Sequence, residues 1–464
     1  MKRPNLLILH TDQQRWDALG AAGNGDIRTP NLDRLAARGI NYLHHYSQCP
    51  VCMPSRASLM TGRYCSTLGV TDNGIPVPDD TVTLAHLLKP YGYVCGQIGK
   101  MHFQNHANRD HRRPYPAYGF DHVEVSDEPG CYEDAYRAWV RRKAPEALDR
   151  ISVGLPPATV KWQDVMHLDD GIAHPAERFP KRPIAFGAPS DLTHTAFVAE
   201  QTMEFLAAHA GRPWMCFAGF YSPHSPWVAP QEFIDLYEAS SLSIPAFPPE
   251  VDARRSADHF SDDELRRARH GYYAMVSEVD HHVGRILARL DDLGLADETV
   301  ILFTSDHGEW LGEHLLYGKG YPGHDAVSRV PLVIRRPGDA GGRTVTRLVE
   351  SIDILPTLLD WAGIQPPPSL QGQRLPVADD DPTVEVRASA LSEQTGWRTI
   401  RSERHRYVLK ADGHEELYDL AADPAGYHNV AGDAAYADVL SAHRKALARR
   451  LTGLEQPLPR PWTY

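Results

Sequence analysis

Cysteine is scarce: the six residues at 49, 52, 65, 95, 131 and 216 are too few and too irregularly spaced in 464 residues for a disulfide framework. Long apolar runs are missing as well. No stretch approaches the roughly 18 consecutive residues of a membrane span, so no membrane partner is expected. The first apolar run, residues 5–10, is too short for a signal-peptide core and lacks a small-residue cleavage site, which points to a cytoplasmic protein. There is no excess of positive charge. The 48 Lys and Arg stand against 60 Asp and Glu, for a net charge of −12, and without a basic face no nucleic-acid partner is expected. This balance leaves room for a small anionic substrate, because a local basic pocket can sit on an acidic protein. Internal repeats and low-complexity tracts are absent too. What the chain does have is a hydrophobic content of 42%, ample for a large core in two or three domains. It also has 24 histidines, which suits a metal or acid–base site. Nothing in the composition reads out oligomeric state, and a homo-oligomer stays open.

Five nearly continuous apolar runs read as strands buried on both faces: residues 5–10, 93–98, 214–220, 299–305 and 331–334. Helical patterns alternate with them at 31–38, 55–61, 84–88, 195–207, 264–293 and 354–362. Strand–helix alternation predicts an α/β fold, a large mostly parallel mixed sheet sandwiched by helices. Residues 104–190 and 239–262 have little periodicity and read as long loops near a substrate entrance. After about residue 367 the texture changes to a linker, short strands at 387–392, 396–402 and 407–410, and a helix at 434–454. These predict a small α+β subdomain with a short antiparallel sheet, and the expected division is 1–370 and 371–464.

Four of the predicted strands hand over to unusual polar groups at their carboxyl ends. These are Thr11-Asp12-Gln13, Gly99-Lys100-Met101-His102, Ser222-Pro223-His224 and Asp306-His307-Gly308-Glu309. One Asp after a strand is ordinarily a turn or helix cap. Ligands of open α/β sheets, however, bind outside the carboxyl ends of the strands, and four coincident ends point to one site. Asp12 and Asp306, with the Gln13 carbonyl, offer the oxygen ligands of a hard divalent cation, and a His307 nitrogen would also tolerate Mn²⁺. Such an ion would act as a Lewis acid on a substrate oxygen.

A second cluster is Cys52-Met53-Pro54-Ser55-Arg56, continuing Ala57-Ser58-Leu59-Met60-Thr61-Gly62-Arg63. Pro54 fits the first turn of a helix. Cys52 would then lie at the helix start, where free N–H groups favour an anionic nucleophile or substrate. Arg56, four residues on, shares its face and suits a tetrahedral oxyanion. From the residues alone Cys52 keeps three readings: a buried structural thiol, one half of a Cys49-Pro-Val-Cys52 redox or zinc motif, or a nucleophile.

The string from Cys52 to Arg63 closely resembles the signature of the type I sulfatases of the alkaline phosphatase superfamily. Thr29-Pro-Asn-Leu-Asp33, Gly99-Lys100-Met101-His102, Pro223-His224, Asp306-His307-Gly308 and residues 415–429 follow in that family's order. The resemblance implies that a formylglycine-generating maturation enzyme oxidises Cys52, and that the hydrated aldehyde attacks the sulfur of a small sulfate ester. It implies one divalent cation on Asp12, Gln13, Asp306 and His307, Ca²⁺ in most sulfatases, with Mn²⁺ as the other candidate. It assigns Arg56 to hold the formylglycine. Lys100, His224 and Lys319 would contact sulfate oxygens, with His224 protonating the leaving oxygen, and His102 would take a proton as sulfate is ejected. Asn73 would contact substrate or support Arg56. Two positions depart from the common pattern. Gln13 and His307 stand where many sulfatases have Asp and Asn, as in choline-sulfatase-like enzymes and the related phosphonate monoester hydrolases. The Lys100–His102 pair favours sulfate. A phosphonate monoester or phosphodiester hydrolase is the alternative, and a non-catalytic metal-binding relative is a further one. Trp162, Trp227, Trp310 and Tyr321 are candidates for lining the pocket, with ordinary packing as their default.

Overall fold

The computed structural model describes residues 3–105, 114–154, 171–257, 259–339 and 341–454; Trp162 lies outside them. Eight strands form the main sheet: β1 (Asn5–Thr11), β2 (Ile40–Tyr42), β3 (Val94–Gly99), β4 (His122–Val125), β5 (Trp214–Gly219), β6 (Thr299–Ser305), β7 (Leu332–Arg335) and β8 (Arg343–Val345). Their spatial order is β8-β2-β7-β6-β1-β5-β3-β4. Every neighbouring pair is parallel except the two made by β7, which runs against β2 and β6. All five strands expected from apolar runs are present, and the sheet is mixed and mostly parallel.

The continuous apolar runs exist because the sheet is covered on both faces. Leu6 and Ile8 of β1 join one core cluster with Met215, Phe217, Val300 and Leu302. Leu7 and Leu9 point the other way, into a cluster with Cys216, Ala218, Ile301 and Phe303. Successive side chains of a strand alternate between faces, so both sets must be apolar. Helices appear within a few residues of all six helical patterns in the sequence: α1 (Pro30–Arg38), α2 (Cys52–Thr61), a short one at Leu84–Leu88, α3 (His194–Ala208), α4 (Asp262–Asp292) and α5 (Ile354–Trp361).

The segment 104–190 is not all loop. It contributes β4, parallel to β3 at the sheet edge, and a helix at Ala135–Lys143 started by an Asp134 cap on the Arg137 N–H. Every residue of β4 is only partly buried, so His122 and Glu124 interrupt the apolar pattern that marks the central strands. Residues 249–252 form one helical turn inside the other stretch read as loop.

Near the C-terminus, β9 (Ser389–Gln394), β10 (Trp397–Ser402), β11 (His405–Lys410) and β12 (Glu415–Asp419) form a separate antiparallel sheet in sequence order, followed by α6 (Ala437–Leu454). Its core residues Leu391, Ile400, Tyr407, Leu417 and Leu447 pack with Tyr64 and Ile352 of the preceding chain. Arg387 pairs with Glu350 at 2.9 Å and Asp353 at 2.5 Å, and Arg450 pairs with Glu350 at 2.6 Å. Among the described residues no helix is long and apolar enough to cross a membrane.

Three buried histidines predict how stability responds to acid. Burial pushes His194 and His282 down to about 3 and His45 to about 4. Above the unfolded value of 6.5 all three are neutral in both states, and their contribution is fully present. Below it the unfolded chain takes up protons that the folded chain refuses, so stability falls as pH drops. The expected loss is up to ~1.4 kcal/mol per pH unit per histidine. Buried acids such as Glu278, which burial pushes up to about 8, act in the opposite sense, so the histidine effect is read as a difference: the urea stability of the wild type relative to His194→Gln should fall as the pH drops from 7.5 to 5. A constant difference would contradict the burial argument.

Candidate active site

Strands β6, β1, β5 and β3 are consecutive in the sheet, so their carboxyl ends lie side by side. Asp12 follows β1, Lys100 follows β3, His224 comes five residues after β5, and Asp306 and His307 follow β6. The approach is tight where β3 meets β5. A side chain on Gly99, whose φ is +81°, would strike the Gly219 carbonyl oxygen. That oxygen instead accepts the Lys100 N–H at 2.7 Å, and glycine is the residue that tolerates such a position.

The nucleophile candidate arrives on α2, which begins at Cys52 and is buried along its whole length. Its N-cap position is Val51, which supplies no side-chain cap; Asn73 Oδ1 accepts the Met53 N–H at 3.0 Å instead. Asn73 thus holds the first turn of the helix that carries Cys52 and Arg56.

Arg56 sits one turn into α2 with no exposed side-chain surface and spans the two acids. Its Nε donates to Asp306 Oδ2 at 2.7 Å and its Nη2 to Asp12 Oδ2 at 3.2 Å. Nη1 reaches the Lys100 carbonyl at 2.9 Å. Lys100 Nζ adds a bond to Asp12 Oδ2 at 2.9 Å and lies 3.5 Å from Glu128. The cations therefore take the Oδ2 atoms, while the Oδ1 atoms face a shared space. Asp12 Oδ1 is 3.8 Å from Cys52 Sγ, and both Oδ1 atoms are 3.7 Å from His307 Nε2. His307 Nδ1 donates to the Gly308 carbonyl at 2.8 Å, which leaves the Nε2 lone pair directed at that space.

Lys319 closes the constellation. Its Nζ is 2.6 Å from Cys52 Sγ and 2.9 Å from His224 Nε2, while His224 Nδ1 donates to the Ser225 carbonyl at 2.6 Å. His224 and Lys319 are half-buried, whereas Asp12, Gln13, Cys52, Arg56, Lys100, Asp306 and His307 are fully buried. The open side of the site is therefore the His224–Lys319 side. His102 is held by its N–H, which donates to Asp127 Oδ1 at 2.7 Å. Burial alone would raise the Asp12 carboxyl, yet Lys100, His224, Lys319 and Arg56 together hold it well below the usual carboxylate range. Burial opposes the Lys319 charge, and Cys52 and Asp12 outweigh it, keeping the ammonium protonated. An anionic ester entering this pocket meets positive charge that is already fixed in place.

Among the described residues, Asp12, Cys52, Asp306 and His307 cluster as metal-holding side chains do, with ligand atoms within 4.8 Å of one another. The buried Gln13 Oε1 has no hydrogen-bond partner. Two carboxylates, an amide oxygen and an imidazole nitrogen fit a divalent cation of the hard-to-borderline kind. The other cysteine of the CxxC string does not pair with Cys52. All six cysteines are free, and Cys49 packs with Val51 and Cys65.

Several supporting residues have no clear sequence signal. Glu309 accepts from Gln13, Glu128 lies beside Lys100, and the Tyr221 ring lies 4.7 Å beneath the Lys100 ammonium. Glu309 belongs to a polar strand end visible in the sequence, but as an isolated acid it has no evident partner there. Trp227 and Trp310 are buried, and Tyr321 is exposed.

The family model described as Sulfatase matches residues 4–364, and one described as N-sulphoglucosamine sulphohydrolase, C-terminal, matches residues 312–453. The multifunctional alkaline phosphatase superfamily protein PehA of Trinickia caryophylli is 30% identical over 99% of this chain and 97% of its own. An arylsulfatase of Clostridium perfringens is 29% identical, covering 98% and 95%. The crystal structure of the phosphonate monoester hydrolase of Agrobacterium radiobacter superposes with a TM-score of 0.80 at 29% identity, covering 97% of this chain and 96% of that one. The chain belongs to the sulfatase family of the alkaline phosphatase superfamily and is a sulfuric ester hydrolase.

Proposed function

We propose that this protein hydrolyses a sulfate monoester to an alcohol and inorganic sulfate, with formylglycine made from Cys52 as nucleophile and one divalent cation, Ca²⁺ or Mn²⁺, on Asp12, Gln13, Asp306 and His307. The observation that carries this is the position of Cys52 Sγ, 2.6 Å from the Lys319 ammonium and 3.2 Å from His307 Nε2. The atom to be modified lies between the cations and the ligand set. Asp12, Gln13, Asp306 and His307 would hold a cation whose charge would polarise the ester and favour the ionised nucleophile. Lys100 and Lys319 neutralise sulfate oxygens, and Arg56 fixes the acids and the start of α2. His224 delivers the proton to the leaving oxygen; its Nε2 accepts from the Lys319 ammonium at 2.9 Å, and that pair is the proton's source. His102 acts as base in the release of sulfate. The modification requires a formylglycine-generating enzyme in the host.

Two measurements test this. The peptide spanning Cys52 should weigh ~18 Da less than its unmodified form, since an aldehyde replaces the thiol. The fraction carrying that mass should track turnover of an aryl sulfate. Full activity with an intact thiol would end the proposal. The likeness to a phosphonate monoester hydrolase structure favours a second reading, hydrolysis of phosphonate monoesters or phosphodiesters on the same residues. Lys100 and His102 weigh toward sulfate, so kcat/KM should be higher for an aryl sulfate than for the matching aryl phosphonate. The reverse order would select the second reading.

A further inference from the structure

We propose that Glu309 is a positioning residue that turns the Gln13 side chain into a metal ligand and ties it to the Lys319 loop; this rests on the metal reading above. Glu309 is fully buried. Its carboxylate has three donors. Oε1 accepts the N–H of Leu311 at 3.1 Å and that of Gly318, and Oε2 accepts from Gln13 Nε2. Gln13 sets its NH₂, not its oxygen, against Glu309 Oε2, the orientation that a carboxylate acceptor selects. The Gln13 oxygen is therefore turned away from Glu309, and it is this buried Oε1 that lacks a partner. A buried acceptor with no donor is unfavourable unless something else takes its lone pair. A cation held by Asp12, Asp306 and His307 would be such a partner, since Gln13 directly follows Asp12 and its own N–H is bonded to Asp306 Oδ1.

The Gln13 backbone is fixed as firmly as its side chain. With φ at +68° it lies in the left-handed region, uncommon for a residue other than glycine. Its N–H donates to Asp306 Oδ1 at 3.0 Å, and its carbonyl accepts the Tyr272 hydroxyl at 2.8 Å. With the backbone pinned, the amide orientation is the remaining freedom, and Glu309 removes it. The same contact polarises the amide and makes Oε1 a better ligand. At its other oxygen Glu309 holds Gly318, one residue before Lys319. One carboxylate thus joins the metal wall of the pocket to the cationic wall.

The test is calorimetric titration of Mn²⁺ into metal-free protein, with thermal unfolding as a second readout. The wild type is expected to bind one Mn²⁺, and Asp306→Asn to abolish that binding. No binding by the wild type, or no effect of Asp306→Asn, would bring down the metal reading and this proposal with it. Given wild-type binding, Glu309→Gln should weaken Mn²⁺ affinity by about 10- to 100-fold, because an amide there can donate to Gln13 Oε1 and hold it away. Glu309→Asp should weaken it too, although the charge is kept, because the acceptor is withdrawn by one methylene. The double variant Gln13→Glu/Glu309→Gln exchanges acceptor and donor without changing shape, and should recover at least about tenfold of the loss. Unchanged affinity in Glu309→Gln, or a double variant no tighter than Glu309→Gln, overturns the proposal and leaves the metal reading standing. If Glu309→Gln does not fold, the double variant decides: wild-type-like binding supports the proposal, and binding no tighter than that of Glu309→Asp overturns it.

Discussion

Cys52→Ala is expected to reduce hydrolysis of an aryl sulfate by at least about 10³-fold, since removing a nucleophile while the surrounding charges remain can cost about 10⁶-fold in kcat. Cys52 is 1% exposed and packed at the start of α2, so a change to Ala leaves only a small void. Asn73 still holds the Met53 N–H, and Asp12, Gln13, Asp306 and His307 are untouched. Unfolding by urea should therefore shift little, and Mn²⁺ should still bind. The loss should appear in kcat more than in KM, because Lys100, Lys319 and His224 still offer the same charges to the bound ester. Retained turnover in this variant would exclude Cys52 as the source of the nucleophile. Lost turnover together with lost metal binding would instead make the cysteine part of the ligand set.

The largest stability effect is expected at Arg56. Its guanidinium is the shared partner of Asp12 and Asp306, and all three side chains have zero exposed surface. Arg56→Met keeps most of the volume and removes the charge; Asp12 retains Lys100 at 2.9 Å, but the buried Asp306 carboxylate loses the Arg56 cation at 2.7 Å. Removing one partner from a buried ion pair typically costs ~3–5 kcal/mol, and urea denaturation of the metal-free protein should show a loss of that size. A divalent cation should restore part of it by binding the folded state, so the deficit should shrink as Mn²⁺ is added. An unchanged urea midpoint without metal would mean that the acids do not depend on Arg56. Turnover should fall as well, because Arg56 also bonds the Lys100 carbonyl at 2.9 Å.

Much of this arrangement can be read from the chain itself, and the reason differs by element. The central strands are legible because each is buried on both faces, which forces an unbroken apolar run such as residues 299–305. The helices are legible because their one-sided burial leaves a periodic pattern, as in α4. β4 is not legible. It is a four-residue edge strand, partly exposed throughout, in a segment rich in residues that break patterns. The antiparallel course of β7 is also hidden, since Leu332–Arg335 is as apolar as a parallel strand would be, and direction comes from pairing with β6 and β2.

The candidate site divides along the same line. Local pattern marks Asp12, Lys100, His224 and Asp306 as strand-end residues, and the Cys52–Arg63 string stands out on its own. Contacts between distant residues are another matter. Nothing near Gln13 in sequence indicates that its amide will face Glu309, 296 positions away, or that Asn73 will cap the helix of Cys52. Periodicities, buried strands and the residue types at their ends are written into the chain, because local burial and backbone geometry set them. Which oxygen of each acid faces Arg56 and which faces His307 is settled in the fold, because hydrogen bonds between chain segments far apart are chosen when the strands pair, and not before.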